Sequence, residues 1–256
     1  MQEFRGNGGV RLAYLDEPAV GDDRGEPILL IHGFASTHAI NWVFPLWVKT
    51  LTEAGRRVIL FDNRGHGRSE KLYDPGSYHI SLMAADALAL LDHLGLQRVD
   101  VMGYSMGGRI AAFLTEAHPE RVRSLVLGGI GHHLADGATL PVGVADAMEA
   151  ASLDDLTDPM QRMFRAFADA TKSDRKALAA CIRGSRDLLP EAKIATMRLP
   201  VLVAVGTEDD VAGDPFRLAA MFPSATVLSI PGRDHNKAVG DRTYKTGVLD
   251  FLSDRE

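Results

Sequence analysis

The chain holds one cysteine among 256 residues, lacks any long apolar run and carries no excess of basic charge. A lone Cys181 forms no intrachain disulfide and offers no thiolate cluster to zinc, which removes the disulfide-stapled and zinc-ribbon classes. A bilayer-spanning helix needs about 20 consecutive apolar residues, and no stretch approaches that length. With a formal net charge of −6 and a pI near 5.8, the chain has no basic face for a nucleic-acid backbone. The segment Met1 to Gly6 has neither a basic n-region nor an apolar h-region, so no signal peptide is expected. A phosphate-cradling glycine loop is missing too. No Walker A sequence exists, and a G-x-G-x-x-G reading from Gly65 meets Glu70 where its last glycine belongs. The expectation is a cytoplasmic protein that binds no nucleic acid, crosses no membrane and acts on a small molecule; homo-oligomer formation is left open.

What is present is a rhythm. Short apolar runs recur at Pro27–Ile31, Val58–Phe61, Val99–Met102, Ser124–Leu127, Val201–Val205 and Ala225–Ile230. Runs this short, mostly of Val, Ile and Leu, suit strands buried on both faces of a parallel sheet. Between them, Ala84, Ala87, Leu88 and Leu91 repeat at helical spacing within Ser81–Leu94, and Gly95 follows as a stop. Gly107–His118 reads as a second helix, ended by Pro119. Alternating strands and helices imply an α/β architecture, a mostly parallel doubly wound sheet. The first twenty residues, with Gly8-Gly9 between two strand-like stretches, read as an antiparallel hairpin leading in.

From about Gly131 to Leu199 the rhythm stops, yet the segment is too long for a loop in a compact domain. Met160, Met163, Phe164 and Phe167 fall on one helical face, which serves either packing or the lining of an apolar pocket. The expected organisation is a core of residues 1–130 and 200–256, with a helical cap inserted over 131–199.

Gly103-Tyr104-Ser105-Met106-Gly107 is a G-x-S-x-G sequence placed directly between a strand and a helix. A tight turn there strains the serine backbone and lifts its hydroxyl above the sheet, with glycines where side chains would clash. A serine needs a base before it becomes nucleophilic. Catalytic groups in such sheets sit at the carboxyl ends of strands. Of nine histidines, His235 lies just past the last strand, whereas His93 and His118 lie at the far ends of helices. A third, acidic partner would fix the imidazole tautomer. Glu208, Asp209 and Asp210 follow Val205, and spacing alone does not choose among them; Asp234, adjacent to His235, is poorly placed to reach the outer ring nitrogen.

Five motifs in order resemble the α/β-hydrolase family over nearly the whole chain. His32-Gly33-Phe34 resembles its oxyanion loop, Asp62 to Ser69 its D-x-R-G-x-G-x-S turn, and Gly103 to Gly108 its nucleophile elbow. Gly206 to Asp209 resembles its acid loop, and Gly232 to His235 its terminal histidine loop. The resemblance implies Asp209 as the acid, with Asp210 the fallback. It also implies an oxyanion hole made by the backbone N–H groups of Phe34 and Met106, and no metal or organic cofactor. The turn at Asp62–Ser69 reads as structural, with His66 a loop residue and His32 bracing the oxyanion loop. His132 and His133 follow a strand end, and their role is left open, with facing the pocket from the base of the cap one option.

Within that family, Ser105 stands where dehalogenases and epoxide hydrolases have a nucleophilic aspartate, and all five tyrosines lie outside the expected cap. The expectation is therefore a serine esterase with a catalytic triad, acting on a substrate with an apolar acyl or alcohol part. Enol-lactone hydrolysis and C–C hydrolysis of a β-diketone share the same triad. A ligand sensor that keeps the fold but turns over slowly is the alternative of another class.

Overall fold

The computed structural model describes residues 1–136 and 140–254. Residues 137–139 of the expected 131–199 insertion, and the last two of the expected 200–256 span, lie outside the described residues. Eight strands form one sheet: β1 (Gln2–Arg5), β2 (Arg11–Glu17), β3 (Ile28–Ile31), β4 (Val58–Phe61), β5 (Val99–Tyr104), β6 (Val122–Gly128), β7 (Val201–Gly206) and β8 (Ala225–Ile230). Their spatial order is β1-β2-β4-β3-β5-β6-β7-β8. The lead-in hairpin pairs antiparallel, Gln2 opposite Tyr14, and β2 joins β4 antiparallel; every later pair is parallel.

The apolar runs are continuous because both faces of the sheet are covered. Leu29, Ile31, Ile59, Val101, Leu125 and Val203 point into one core, against α2 (Ile80–His93) and α3 (Met106–Ala117). Their neighbours Ile28, Leu30, Val58, Met102, Val126 and Leu202 point into the other, against α1 (Trp47–Glu53) and α10 (Arg242–Ser253). Alternation along each strand sends successive side chains to opposite faces. Each aliphatic side chain so buried contributes roughly 1.5–3 kcal/mol. Gly95 ends α2 in the left-handed region at φ 66°, one residue past its cap.

Between β6 and β7 the chain is helical. α4 (Gly143–Glu149), α5 (Pro159–Ala170), α6 (Arg175–Gly184) and the short α7 (Glu191–Ile194) pack onto the core that holds α2 and α3. Helix α5 starts where Asp158 accepts the N–H of Gln161 and Pro159 takes the first turn. Two short helices complete the chain, α8 (Pro215–Ala219) after β7 and α9 (His235–Ala238) after β8. Among the described residues, no helix is long and apolar enough to cross a membrane.

Candidate active site

The loops after β3, β5, β7 and β8 converge at the carboxyl edge of the sheet, where ligands bind in folds of this kind. At the end of β5, Ser105 is held at φ 55° and ψ −118°, a region that non-glycine residues rarely adopt. Its N–H is anchored by the carbonyl of Gly128 at 2.7 Å. The flanking glycines are sterically required. A Cβ on Gly103 would stand 2.1 Å from the carbonyl oxygen of Gly107, and one on Gly107 would stand 2.0 Å from that of Ile31.

His235 opens α9, and its ring spans two partners. Nε2 lies 3.0 Å from Ser105 Oγ, and Nδ1 lies 2.8 Å from Asp209 Oδ2. An ionised carboxylate only accepts, so Nδ1 carries the ring proton and Nε2 is left to accept from the serine hydroxyl. The second carboxylate oxygen of Asp209 accepts the N–H groups of Val211 and Ala212, each at 2.9 Å. Thus Ser105, His235 and Asp209 come together, while Asp210 turns to an exposed position facing a cavity. Asp234 is committed elsewhere: it caps α9 by accepting the N–H groups of Asn236 and Lys237.

Phe34 and Met106 both border Ser105 in the same cavity. Among the described residues, neither backbone N–H has an acceptor. The loop carrying Phe34 is braced from beneath. Gly33 donates its N–H to Asn41 Oδ1 at 2.9 Å, and Asn41 sits in a short π-helix, Ala39–Val43. His32 accepts the Asn63 N–H on Nε2 at 2.9 Å, so its Nδ1–H donates to the Gly33 carbonyl at 2.8 Å. Burial pushes the His32 imidazole down to about 4, against the opposing pull of Asp62. His66 is pushed down to about 3, chiefly by burial and then by His32.

The turn from Asp62 to Ser69 is a framework. Burial alone would raise the Asp62 carboxyl, but it is held low by the His38 side chain, by the charge of His32 and by the Arg68 N–H. Arg64 forms a bidentate pair with Asp86 at 2.7 and 2.8 Å, with both side chains buried. The His132 and His133 rings lie 4.5 Å apart between centroids but have different surroundings: His132 Nδ1 accepts the Asp214 N–H at 2.8 Å, while His133 borders a cavity. Among the described residues, no group of three or more His, Cys, Asp or Glu could hold a metal ion.

Two cavity lobes meet at Ser105 and Phe34. One, about 180 Å³, is bordered by Met106, Arg109, Ile130, Met160, Ile182 and Arg186. The other, about 330 Å³, is bordered by His235, Met163, Phe164, Phe167, Ile40 and Val239. The residues that sequence periodicity placed on one face of α5 thus do both jobs: they pack on the core and roof the two lobes. Phe164 meets the Phe34 ring at 5.8 Å between centroids. Sequence reasoning missed Asn41, Arg109 and Arg186. Of these, only Arg109 left a signal, as the single charged residue in the first two turns of α3.

Residues 26–150 match a family model described as alpha/beta hydrolase fold. The chain is 29% identical over 231 residues to the dihydrolipoyllysine-residue acetyltransferase component of an acetoin cleaving system from Pseudomonas putida; the match covers 84% of this chain and 60% of that one. It is 38% identical over 127 residues to a 2-hydroxy-6-oxononadienedioate/2-hydroxy-6-oxononatrienedioate hydrolase from Paraburkholderia xenovorans, which covers 49% of this chain and 42% of that one. The chain therefore spans between about two fifths and three fifths of the length of these curated relatives. Among solved structures, a hydrolase from Pseudomonas aeruginosa superimposes with a TM-score of 0.79 at 24% identity, over 98% of this chain and 97% of that one.

Proposed function

We propose, from the premise that the chain has the α/β-hydrolase fold, that it is a serine hydrolase of carboxylic-ester-like substrates, with Ser105 as nucleophile, His235 as base and Asp209 as the acid behind it. The observation that carries this reading is the His235 ring, 3.0 Å from Ser105 Oγ on one side and 2.8 Å from Asp209 on the other. Ser105 Oγ attacks the substrate carbonyl carbon as its proton passes to His235 Nε2. The carbonyl electrons move to oxygen, where the unpaired N–H groups of Phe34 and Met106 supply hydrogen bonds. Each such donor is worth roughly 3–4 kcal/mol of barrier. Asp209 steadies the imidazolium. The intermediate collapses, the leaving group takes the proton from Nε2, and an acyl-serine remains. Water, activated by the same nitrogen, then releases the acid. In this reading residues 131–199 form the cap over the site, and the chain works in the cytoplasm.

Hydrolysis of short-chain p-nitrophenyl esters by the wild type beside Ser105→Ala tests the proposal. A loss of roughly 10⁴-fold or more in kcat supports it. Equal rates in the two proteins would sink it.

A second reading is hydrolysis of a carbon–carbon bond in a β-diketone-like substrate. It is favoured by the 38% identity to the oxononadienedioate hydrolase, since a compound of that name holds no ester to cleave. A wild type silent on all esters but active on such a dienedioate would select it.

A further inference from the structure

Four arginines are buried among the described residues: Arg56, Arg64, Arg109 and Arg165. Three have carboxylate partners: Arg56 pairs with Asp100, Arg64 with Asp86 and Arg165 with Asp169. Arg109 has none. Its guanidinium donates only to main-chain carbonyls, those of Leu134 (3.2 Å), Asp187 (2.9 Å) and His133 (2.7 Å). A guanidinium has five N–H groups, so two of them, including Nε–H, are left without an acceptor among the described residues. An uncompensated buried charge is costly unless something pairs with it.

Arg109 borders the smaller lobe, and about one helical turn, roughly 6 Å along the axis, separates it from Ser105. Arg186 enters the same lobe from the segment after α6, bonded to the Leu140 carbonyl and likewise without a carboxylate. Among the described residues, the only acid bordering this lobe is Asp210, which is exposed. Among the described residues, two positive charges, the buried Arg109 and the exposed Arg186, therefore border a lobe that one carboxylate borders, while Asp187 acts on Arg109 from outside it. Burial first, and then the charge of Arg186, push the Arg109 guanidinium down to about 10. An anion between the two would relieve both effects. In the larger lobe the lone cation among the described residues, Lys237, is already paired with Asp234 at 2.8 Å.

The lobes also differ in what chemistry they can serve. The leaving group must take a proton from His235 Nε2, and His235 borders only the larger, apolar lobe. The acyl chain is left with the smaller one. We propose that this lobe is an anion-recognising acyl subsite, in which Arg109 and Arg186 hold a carboxylate at the distal end of the substrate's acyl chain. The inference rests on the reading of Ser105 as nucleophile. The preferred substrates are then hemiesters of dicarboxylic acids with an apolar alcohol. A volume of about 180 Å³ equals roughly six water volumes, enough for the six heavy atoms that follow the reacting carbonyl in a glutaryl chain.

The test compares phenyl hydrogen glutarate with phenyl hexanoate, following phenol release corrected for uncatalysed hydrolysis. The wild type is expected to favour the anionic ester in kcat/KM. That preference ratio should fall at least about tenfold in Arg109→Met and in Arg186→Met, mostly through KM, with Arg186→Lys retaining part of it. A ratio unchanged in both variants, or a wild-type preference for the neutral ester, overturns the subsite while leaving the nucleophile reading intact. Calorimetry of monomethyl glutarate on Ser105→Ala, with and without Arg186→Met, needs no turnover. Binding weakened at least about tenfold by the second change supports the subsite even if no ester is hydrolysed, in which case it is the nucleophile reading that fails. Binding indifferent to Arg186 overturns it.

Discussion

Asp209 is completely buried at its side chain and hands one carboxylate oxygen to His235 Nδ1 at 2.8 Å, while the N–H groups of Val211 and Ala212 hold the other. Both carboxylate oxygens of Asp209 are thereby held in place. Asp209→Asn keeps the shape but lets the amide donate to Nδ1, which favours the wrong tautomer and leaves the imidazolium unsupported. The expected result is a fall in kcat of about 10⁴-fold with KM little changed. Asp210→Asn, measured beside it, should cost less than about tenfold. Reversal of the two effects would transfer the acid role to Asp210.

The elbow should tolerate no added carbon. Gly107→Ala places a methyl 2.0 Å from the Ile31 carbonyl oxygen, in the middle of the sheet, where only a backbone shift can relieve it. A loss of about 3 kcal/mol or more is expected from urea unfolding. A stability within about 0.5 kcal/mol of wild type would show that the turn can open.

The turn at Asp62–Ser69 should matter for folding rather than chemistry. Arg64→Met leaves Asp86 buried without its bidentate partner and strips donors from the Ser77 and Asn7 carbonyls. The expected destabilisation is about 3–5 kcal/mol. Denaturation midpoints that coincide with wild type would mean Asp86 finds water instead.

Buried neutral histidines set an acid limit. His32 and His66 titrate near 4 and 3 in the folded protein, below the ordinary 6.5 they recover on unfolding. The unfolded chain therefore binds more protons between those values, so stability rises with pH through the window and is lost as pH falls below about 6.5. Each histidine adds up to about 1.4 kcal/mol per pH unit. Asp62, also held low, withdraws its contribution only at more acidic pH. Urea titrations at pH 5 and 6 should show the slope, and His66→Gln should lower it by about one proton. An unchanged slope in that variant would place the proton uptake elsewhere.

Much of this molecule was readable from residue patterns because strands buried on both faces leave continuous Val, Ile and Leu runs. The six expected runs correspond to β3 through β8, and the two expected helices differ from α2 and α3 by one residue at each end. Strand β5 runs two residues further than its apolar run, because Gly103 and Tyr104 still pair with β6 before the chain turns. The choice among Glu208, Asp209 and Asp210 was not readable from spacing. It depends on which side chain the loop turns inward, and that is decided by the N–H groups of Val211 and Ala212. Asn41 was hidden for a related reason. It reaches Gly33 from a π-helix, a local geometry without a periodic signature. The two lobes share Ser105 and take their lining from distant parts of the chain, Met160 of α5 in one and Met163, Phe164 and Phe167 in the other, a tertiary arrangement that no local pattern encodes.

A nucleophilic Ser105 must form a covalent bond to the reacting centre. The most direct test of this is mass spectrometry after treatment with a fluorophosphonate, which reacts with base-activated serines and mimics the tetrahedral intermediate. One phosphonyl adduct is expected, mapped to Ser105 and absent from Ser105→Ala and His235→Ala. An adduct on another residue, or esterase turnover that continues while Ser105 stays unlabelled, would contradict it.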